Sequence, residues 1–383
     1  MRIRQDKSDI LLTAPMSFKI DWLSFTVLPS SINNSIVKIR QILDSWGYDL
    51  SLFEEIQGRF FYNAGLTLGN YFNIFYNDSS KEVPKYAPKS VNFQLTGNGC
   101  TDLGYKLETL FDSKDNEQNW LKLFNWLVTD VGAKITRVDL ALDDFEGECN
   151  FDLMIRKLKA GHYRSVKKTY SINRGADQQQ RSKGLTIYVG KNVKTSKGTY
   201  YLRAYKKLAE FRAKNQLPPK KARESGVWDR YEISFTKDKA QQVVNKLLEV
   251  GSVGKVYFGV LRRLVEFLNP TKNGEGNIFK NKDNWRVCPW WDKFLKKTES
   301  VRIGSDVDRD LNFADLLAWI RRAVVPSLRL LEQIGDERGF NIYDLIQSCD
   351  VDFAKKQQRV LKDSRTIPDD LLQLYLRNFV EGE

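Results

Sequence analysis

Apolar and polar positions change their period repeatedly along this chain, and the changes predict its elements. FKIDWLSFTV (18–27) alternates and reads as a strand, whereas SINNSIVKIRQILDSWG repeats its apolar residues at helical spacing. RFFYNAGLTL and YFNIFYND predict a hairpin across a Gly-Asn turn, and SVNFQLTGNGC a further strand ending in glycine. NEQNWLKLFNWLVTD predicts a helix leading into the strand KITRVDLALDDF, with a second helix over FDLMIRKLKAG. KTYSINR and GLTIYVG follow as strands around the polar loop GADQQQRSK. TYYLRAYKK (199–207) reads as a strand running into the helix LAEFRAK, which LPPKKARESG breaks. WDRYEISF predicts a strand, and KDKAQQVVNKLLE and YFGVLRRLVEFLN predict helices. NPTKNGEGN (269–277) carries the composition of a linker, and DLNFADLLAWIRRAVVPSLRLLEQIG with IYDLIQ predicts a mostly helical tail, explained equally by core packing, a dimer contact or a groove-binding helix pair. Strands mixed with helices, in runs as well as in alternation, favour an α+β sheet fold over a doubly wound one.

Alternation also sorts side chains onto faces. In KITRVDLALDDF, Val138, Leu140 and Leu142 point one way, and Arg137, Asp139, Ala141 and Asp143 the other. In WDRYEISF, Arg230, Glu232 and Ser234 oppose Tyr231, Ile233 and Phe235; in TYYLRAYKK, Tyr201, Arg203, Tyr205 and Lys207 oppose Tyr200, Leu202 and Ala204. If the three strands are neighbours, one face gathers three carboxylates, a phenol and several cations.

Charge changes the picture further. The formal net charge is +13, yet residues 151–230 hold 21 Lys and Arg against 5 Asp and Glu, while the rest of the chain holds 40 against 43. One region therefore carries the whole excess, which points to a polyanion such as nucleic acid rather than to solubility alone. Within it, Tyr163 and Tyr170 could stack on unpaired bases. Cys100, Cys149, Cys288 and Cys349 form no CxxC pair, as suits a reducing cytoplasm. No run of about 18 uncharged apolar residues predicts a membrane span, and MRIRQDKSDILLTAPMS lacks a secretory core.

The shared face has a coherent chemistry. Carboxylates suit Mg²⁺ or Mn²⁺, which would polarise a scissile phosphate. A phenol attacks phosphorus only where a cation or metal favours phenolate, and Arg203, Lys206 and Lys207 flank Tyr205. The same acids could equally make ordinary ion pairs. The single histidine, His162, cannot form a paired-histidine metal site.

IDWLSFTV, QLTGNGC, ITRVDLALDDF, GLTIYVG, YYLRAYKK and RYEISF, in this order over about residues 18–268, resemble the replication initiation factor family of filamentous-phage and rolling-circle plasmid initiators. The resemblance implies a mainly antiparallel sheet flanked by helices, as in rolling-circle initiators. It implies an initiator domain over 1–268, with the acidic strand in 18–150 and the tyrosine in 151–268; composition and periodicity add a linker at 269–277 and a mostly helical region over 278–383. It implies DNA nicking and joining through a 5′-phosphotyrosyl link, with Tyr205 as nucleophile and Lys207 beside it. Arg203, Lys206, Arg137 and Arg230 would bind phosphate, and Asp139, Asp143 and Glu232 would hold Mg²⁺ or Mn²⁺. Origin DNA, a host helicase and polymerase, and a second copy of the chain are the partners it implies. Two departures stand out: Lys206 occupies a position where relatives often carry an acid, and the histidine pair common among tyrosine nickases is absent. A metal-dependent nuclease using water, and a DNA-binding origin or repressor protein that does not cut, are the alternative readings.

Overall fold

In the computed structural model, the described residues are 16–296, apart from 30, 177–181, 192–198 and 215, together with much of 317–381. Among them, ten strands form one antiparallel sheet in the order β2-β3-β4-β5-β1-β6-β11-β10-β9-β8. Its centre consists of β1 (Met16–Val27), β6 (Lys134–Asp144), β11 (Asp229–Thr236) and β10 (Tyr200–Lys206). One wing holds β2 (Glu54–Gln57), β3 (Ala64–Leu68), β4 (Phe72–Tyr76) and β5 (Val91–Leu95). The other holds β9 (Ser182–Val189) and β8 (Tyr170–Ala176); of the polar loop expected at 175–183, residues 177–181 lie outside the described residues.

The alternation read from sequence decides which sheet face is dry. Leu23, Phe25, Phe93, Val138, Leu140, Leu142, Ile233, Phe235 and Leu202 are fully buried or nearly so in one apolar core. Helices lay their apolar stripes into that core: α1 (Ser35–Ser45), α2 (Gly97–Leu110), α3 (Asn116–Thr129), α4 (Phe151–Lys159), α7 (Asp238–Val250) and α8 (Val253–Leu264). In α7 the stripe is Ala240, Val243, Val244 and Leu247, the spacing of one helical face. Side chains start several of these helices: Asp115, Asn150 and Ser252 each accept a bond from a first-turn N–H.

Two expectations are corrected. YFGVLRRLVEFLN is not one helix, because α8 ends at Leu264 and the chain extends into β12 (Glu266–Asn269). Nor is 269–277 a linker. It joins β12 to β13 (Arg286–Val287), and β12 also pairs with β7 (Tyr163–Arg164) in a small three-stranded sheet. The following helix α9 (Pro289–Phe294) drives Trp291 and Phe294 into the main core, where Phe294 meets Tyr231 at 4.9 Å between ring centroids. The compact unit runs through Gly304, and Ser305–Glu383 forms a second one. Its described helices are α10 (Val325–Arg338), α11 (Ile342–Ser348) and α12 (Asp369–Glu381), matching the expected helical tail. Two short helices, α5 (Lys207–Ala213) and α6 (Lys220–Ser225), complete the first unit. No helix among the described residues is long and apolar enough to cross a membrane.

Residues 289–294 belong to this core, so Trp291→Ala is expected to lower the unfolding free energy of the first unit by about 3–5 kcal/mol. Denaturant titration measures this; an unchanged main transition would detach the segment from the core.

Candidate active site on the polar face of the sheet

The second face of the central strands is built from registered rows. Tyr205 pairs with Arg230, which pairs with Asp143. In the next row Arg203 pairs with Glu232, Glu232 with Ala141, and Ala141 with Lys19. Then come Tyr201, Ser234, Asp139 and Trp22. The three strands singled out by alternation are thus consecutive neighbours, and their polar residues converge.

This face is charged yet shielded from water. Asp143 is fully buried, and Asp139, Arg230, Glu232 and Tyr205 are each about 5 % exposed or less. Such burial requires pairing. Arg230 donates through Nε and Nη2 to the two oxygens of Asp143 at 2.6 and 2.8 Å, and through Nη1 to Asp21 at 2.6 Å. Lys19 adds a longer contact to Asp143, 3.8 Å. Arg137 grips Asp139 with Nε at 3.1 Å and Nη2 at 2.5 Å while lying 4.0 Å above the Trp22 ring, and the Ser234 hydroxyl donates to Asp139 at 2.6 Å. Among the described residues Glu232 has only a looser approach from Arg203, 3.6 Å.

The pairing sets the protonation states. Burial opposes ionisation of Asp143, but the Arg230 guanidinium outweighs it and holds the carboxyl below its usual range. For Asp139 burial wins over the Arg137 fork and Ser234, leaving the carboxyl raised. Burial, then the neighbouring Asp139 and Asp21, push Glu232 up to about 7 against the pull of Arg203 and Arg230.

Tyr205 sits in a charged niche, not an apolar one. The Arg203 guanidinium stacks 4.1 Å from its ring, and Lys207 Nζ lies 5.4 Å away. Burial raises its hydroxyl above the ordinary phenol range, Arg230 and Arg203 pull it down, and Glu232 and Asp21 push it up. Arg203 Nε is buried without a hydrogen-bond partner among the described residues, a donor at the tyrosine with nothing to donate to. The phenol opens on a pocket of about 180 Å³ shared with Thr186, Arg203 and Lys214. A larger cleft of about 620 Å³, lined by Lys19, Gly97, Asn98, Lys207, Trp228 and Arg230, adjoins it. Glu210 of α5 lines both, tied to Lys207 at 3.0 Å and Lys214 at 2.7 Å.

Other expected residues fall elsewhere. Lys206 does not join the face: as the next residue in an extended strand it points away, to Asp229 at 3.5 Å and the Phe151 ring at 5.0 Å. Tyr200 packs in the core against Phe235, and Tyr201 keeps to the polar face near Tyr188. Tyr163 and Tyr170 meet edge to face, 6.0 Å apart, and His162 meets Trp285. Lys19, Asp21, Trp22 and Ser234 had not been assigned to the site. Strict alternation puts Asp21 and Trp22 on opposite faces, but β1 shifts register between Ile20 and Trp22, so both reach the polar one.

The expected metal set does not come together as ligands. Asp139 and Asp143 are each taken by a guanidinium fork, and among the described residues no three Asp, Glu, His or Cys side chains are arranged to hold an ion. As arranged, these residues do not fit Mg²⁺ or Mn²⁺.

Comparison with known proteins identifies the family and the fold. The profile of the replication initiation factor family matches residues 133–348. The "Putative DNA relaxase NicK" of Bacillus subtilis (strain 168) is 22% identical over 309 residues, covering 80% of each chain. A solved rolling circle replication initiator protein from Geobacillus stearothermophilus superposes with a TM-score of 0.56 at 22% identity, over 76% of this chain and 98% of that one. The large antiparallel sheet with flanking helices is therefore a fold shared with such an initiator.

Arg230→Met takes away the partner of Asp21 and leaves Asp143 only its 3.8 Å contact with Lys19, and is expected to cost about 3–5 kcal/mol near neutral pH. A depressed carboxyl stabilises the fold above its unfolded pKa and stops doing so as pH falls through its folded value, so the deficit should narrow between about pH 7 and about pH 3. Denaturant unfolding at both pH values tests this; a deficit constant with pH would mean lost packing, not lost pairing.

Proposed function

The chain belongs to the replication initiation factor family, and from that premise we propose that it nicks and rejoins DNA at a replication origin with Tyr205 as nucleophile. The observation carrying this reading is the row geometry: one phenol held between Arg203 and Arg230, diagonal to a carboxyl whose pKa stands at about 7. The relaxase and initiator names of the relatives support the same chemistry.

The step balances as follows. Tyr205 Oη attacks phosphorus, its proton passes to the Glu232 carboxylate, and the bond from phosphorus to the 3′-oxygen breaks. The chain is left with a 5′-phosphotyrosyl link, and the departing 3′-oxyanion takes a proton from water. The unpaired Arg203 Nε supplies a hydrogen bond to a phosphoryl oxygen, and Lys207 adds positive charge beside the ring. Reversal by a 3′-hydroxyl rejoins the strand. The freed 3′-hydroxyl suits extension by a polymerase, with a helicase separating the strands. A second cut calls for a second tyrosine, and a second copy of the chain would bring one. No step is routed through a divalent ion, because Asp139 and Asp143 are already paired; adduct yield with Mg²⁺, Mn²⁺ or chelator tests whether an ion enters by displacing an arginine.

Incubation with single-stranded oligonucleotides tiled across the DNA encoding the chain, followed by denaturing gels and peptide mapping, is expected to place the adduct on Tyr205. Tyr205→Phe should abolish it and Tyr201→Phe should not. A nuclease using water would still cut in Tyr205→Phe, and a pure binder would cut in neither.

Glu232→Gln removes the proton acceptor. Wild-type adduct formation should rise with pH through about 7 and then level. The variant should be slower by about 10²–10⁴-fold and lack that rise. A variant profile that keeps the same inflection would assign it to another group.

A further inference from the structure

The cleft beside Tyr205 holds a carboxylate that the chemistry above leaves without a role. Glu210, on α5, lines both the 620 Å³ cleft and the 180 Å³ pocket on which the phenol opens. Its two oxygens are divided between two cations: Oε2 accepts from Lys207 Nζ at 3.0 Å and Oε1 from Lys214 Nζ at 2.7 Å. Burial opposes its ionisation, but the bonds from Lys214 and Lys207 outweigh it and hold the carboxyl below its usual range. Glu210 is therefore an anion at neutral pH, gripped as the two free oxygens of a phosphodiester would be.

The surroundings call for such an anion. Lys19, Lys207, Lys214 and Arg230 line the cleft against Asp21 and Glu210, with the buried Asp143 behind Lys19. Arg230 holds Asp21 and Asp143 in place, so Glu210 is the one carboxylate of the three tied only to lysines. Lys207 is fixed: 15% of its side chain is exposed, and the rings of Tyr205, Phe211 and Trp228 stand 5.4, 5.4 and 6.0 Å from its Nζ. An ammonium so enclosed requires a counter-charge. Glu210 is less constrained, with 27% of its side chain exposed, and α5 packs on the satellite cluster of Phe145, Leu208, Ala222 and Trp228 rather than on the main core. A change of rotamer carries its carboxylate to solvent without disturbing the sheet. At about 620 Å³ the cleft is far larger than the carboxylate inside it. A single strand threaded past Tyr205 brings the matching chemistry, a succession of singly charged phosphodiesters.

We propose that this cleft seats the phosphodiester next to the scissile one, held by Lys207 and Lys214, and that Glu210 stands in for it until DNA displaces the carboxylate. The proposal rests on the DNA-nicking reading and adds to it a binding subsite with a competitor built into the chain. Every strand must make the same displacement, so a strand gripped at this seat alone is released.

The test uses the full chain with Tyr205→Phe, so that cutting does not intrude, and fluorescence anisotropy of the tightest-binding oligonucleotide of the tiled set. The strand is synthesised with one neutral methylphosphonate at each phosphodiester in turn. Neutralising the position immediately beside the mapped nick is expected to weaken binding about tenfold. Lys214→Met should cut that penalty to about threefold or less and flatten the slope of log affinity against log salt by about 0.7. Glu210→Gln should tighten the unmodified strand about three- to tenfold, and the gain should vanish on the strand neutralised at that position. Glu224→Gln, on α6 and outside the cleft, reports the general effect of one lost negative charge and should change affinity less than about twofold. Lys214 is largely exposed, so Lys214→Met carries the test even where Glu210→Gln is poorly folded. Unchanged or weaker binding in a folded Glu210→Gln, an equal gain in Glu224→Gln, or a gain that survives neutralisation at every position overturns the seat. So does a sensitive position remote from the nick. Absence of any wild-type adduct alongside a Lys214-dependent position overturns the nicking reading and leaves a phosphate seat; an adduct on Tyr205 with no such position does the reverse.

Discussion

The site depends on one buried guanidinium. Arg230, on the central strand β11, bonds both oxygens of Asp143 on β6 and one of Asp21 on β1, fixing three strands against one another on the face without an apolar core. A slip of one residue in β11 would carry Arg230 into the dry side among Leu142 and Leu202 and bring Tyr231 out. Well-packed apolar residues often replace a buried ion pair without loss of stability. What the pair supplies here is position: it fixes the strand beside Tyr205, and with it the phenol, to within the tolerance of a bidentate bond.

The face is close to charge balance, with Lys19, Arg137, Arg203 and Arg230 facing Asp21, Asp139, Asp143 and Glu232. Of these eight only Arg203 and Arg230 belong to the basic stretch 151–230, so the face is a locally neutral, poorly hydrated centre to which that stretch contributes strand β10 in full. Burial and the neighbouring Asp139 and Asp21 push the Glu232 carboxyl up to about 7, so it is the acid of this face poised to change charge near neutral pH. Arg203 is the guanidinium free to respond, since its fork is not closed on a carboxylate as those of Arg137 and Arg230 are.

Much of this was legible in the sequence because strand alternation is local. ITRVDLALDD, YYLRAYK and DRYEISF each declare a polar face, and the sheet brings those faces together. Three things were not legible. The extra residue at Asp21 follows from how β1 pairs with β6, a long-range fact. The capture of Asp139 and Asp143 by arginines depends on side-chain reach across strands, so acids suited to a metal by composition turned out to be structural partners. The break of the helix at Leu264 follows from β12 pairing with β7, about a hundred residues earlier in the chain, which overrides a local helical pattern.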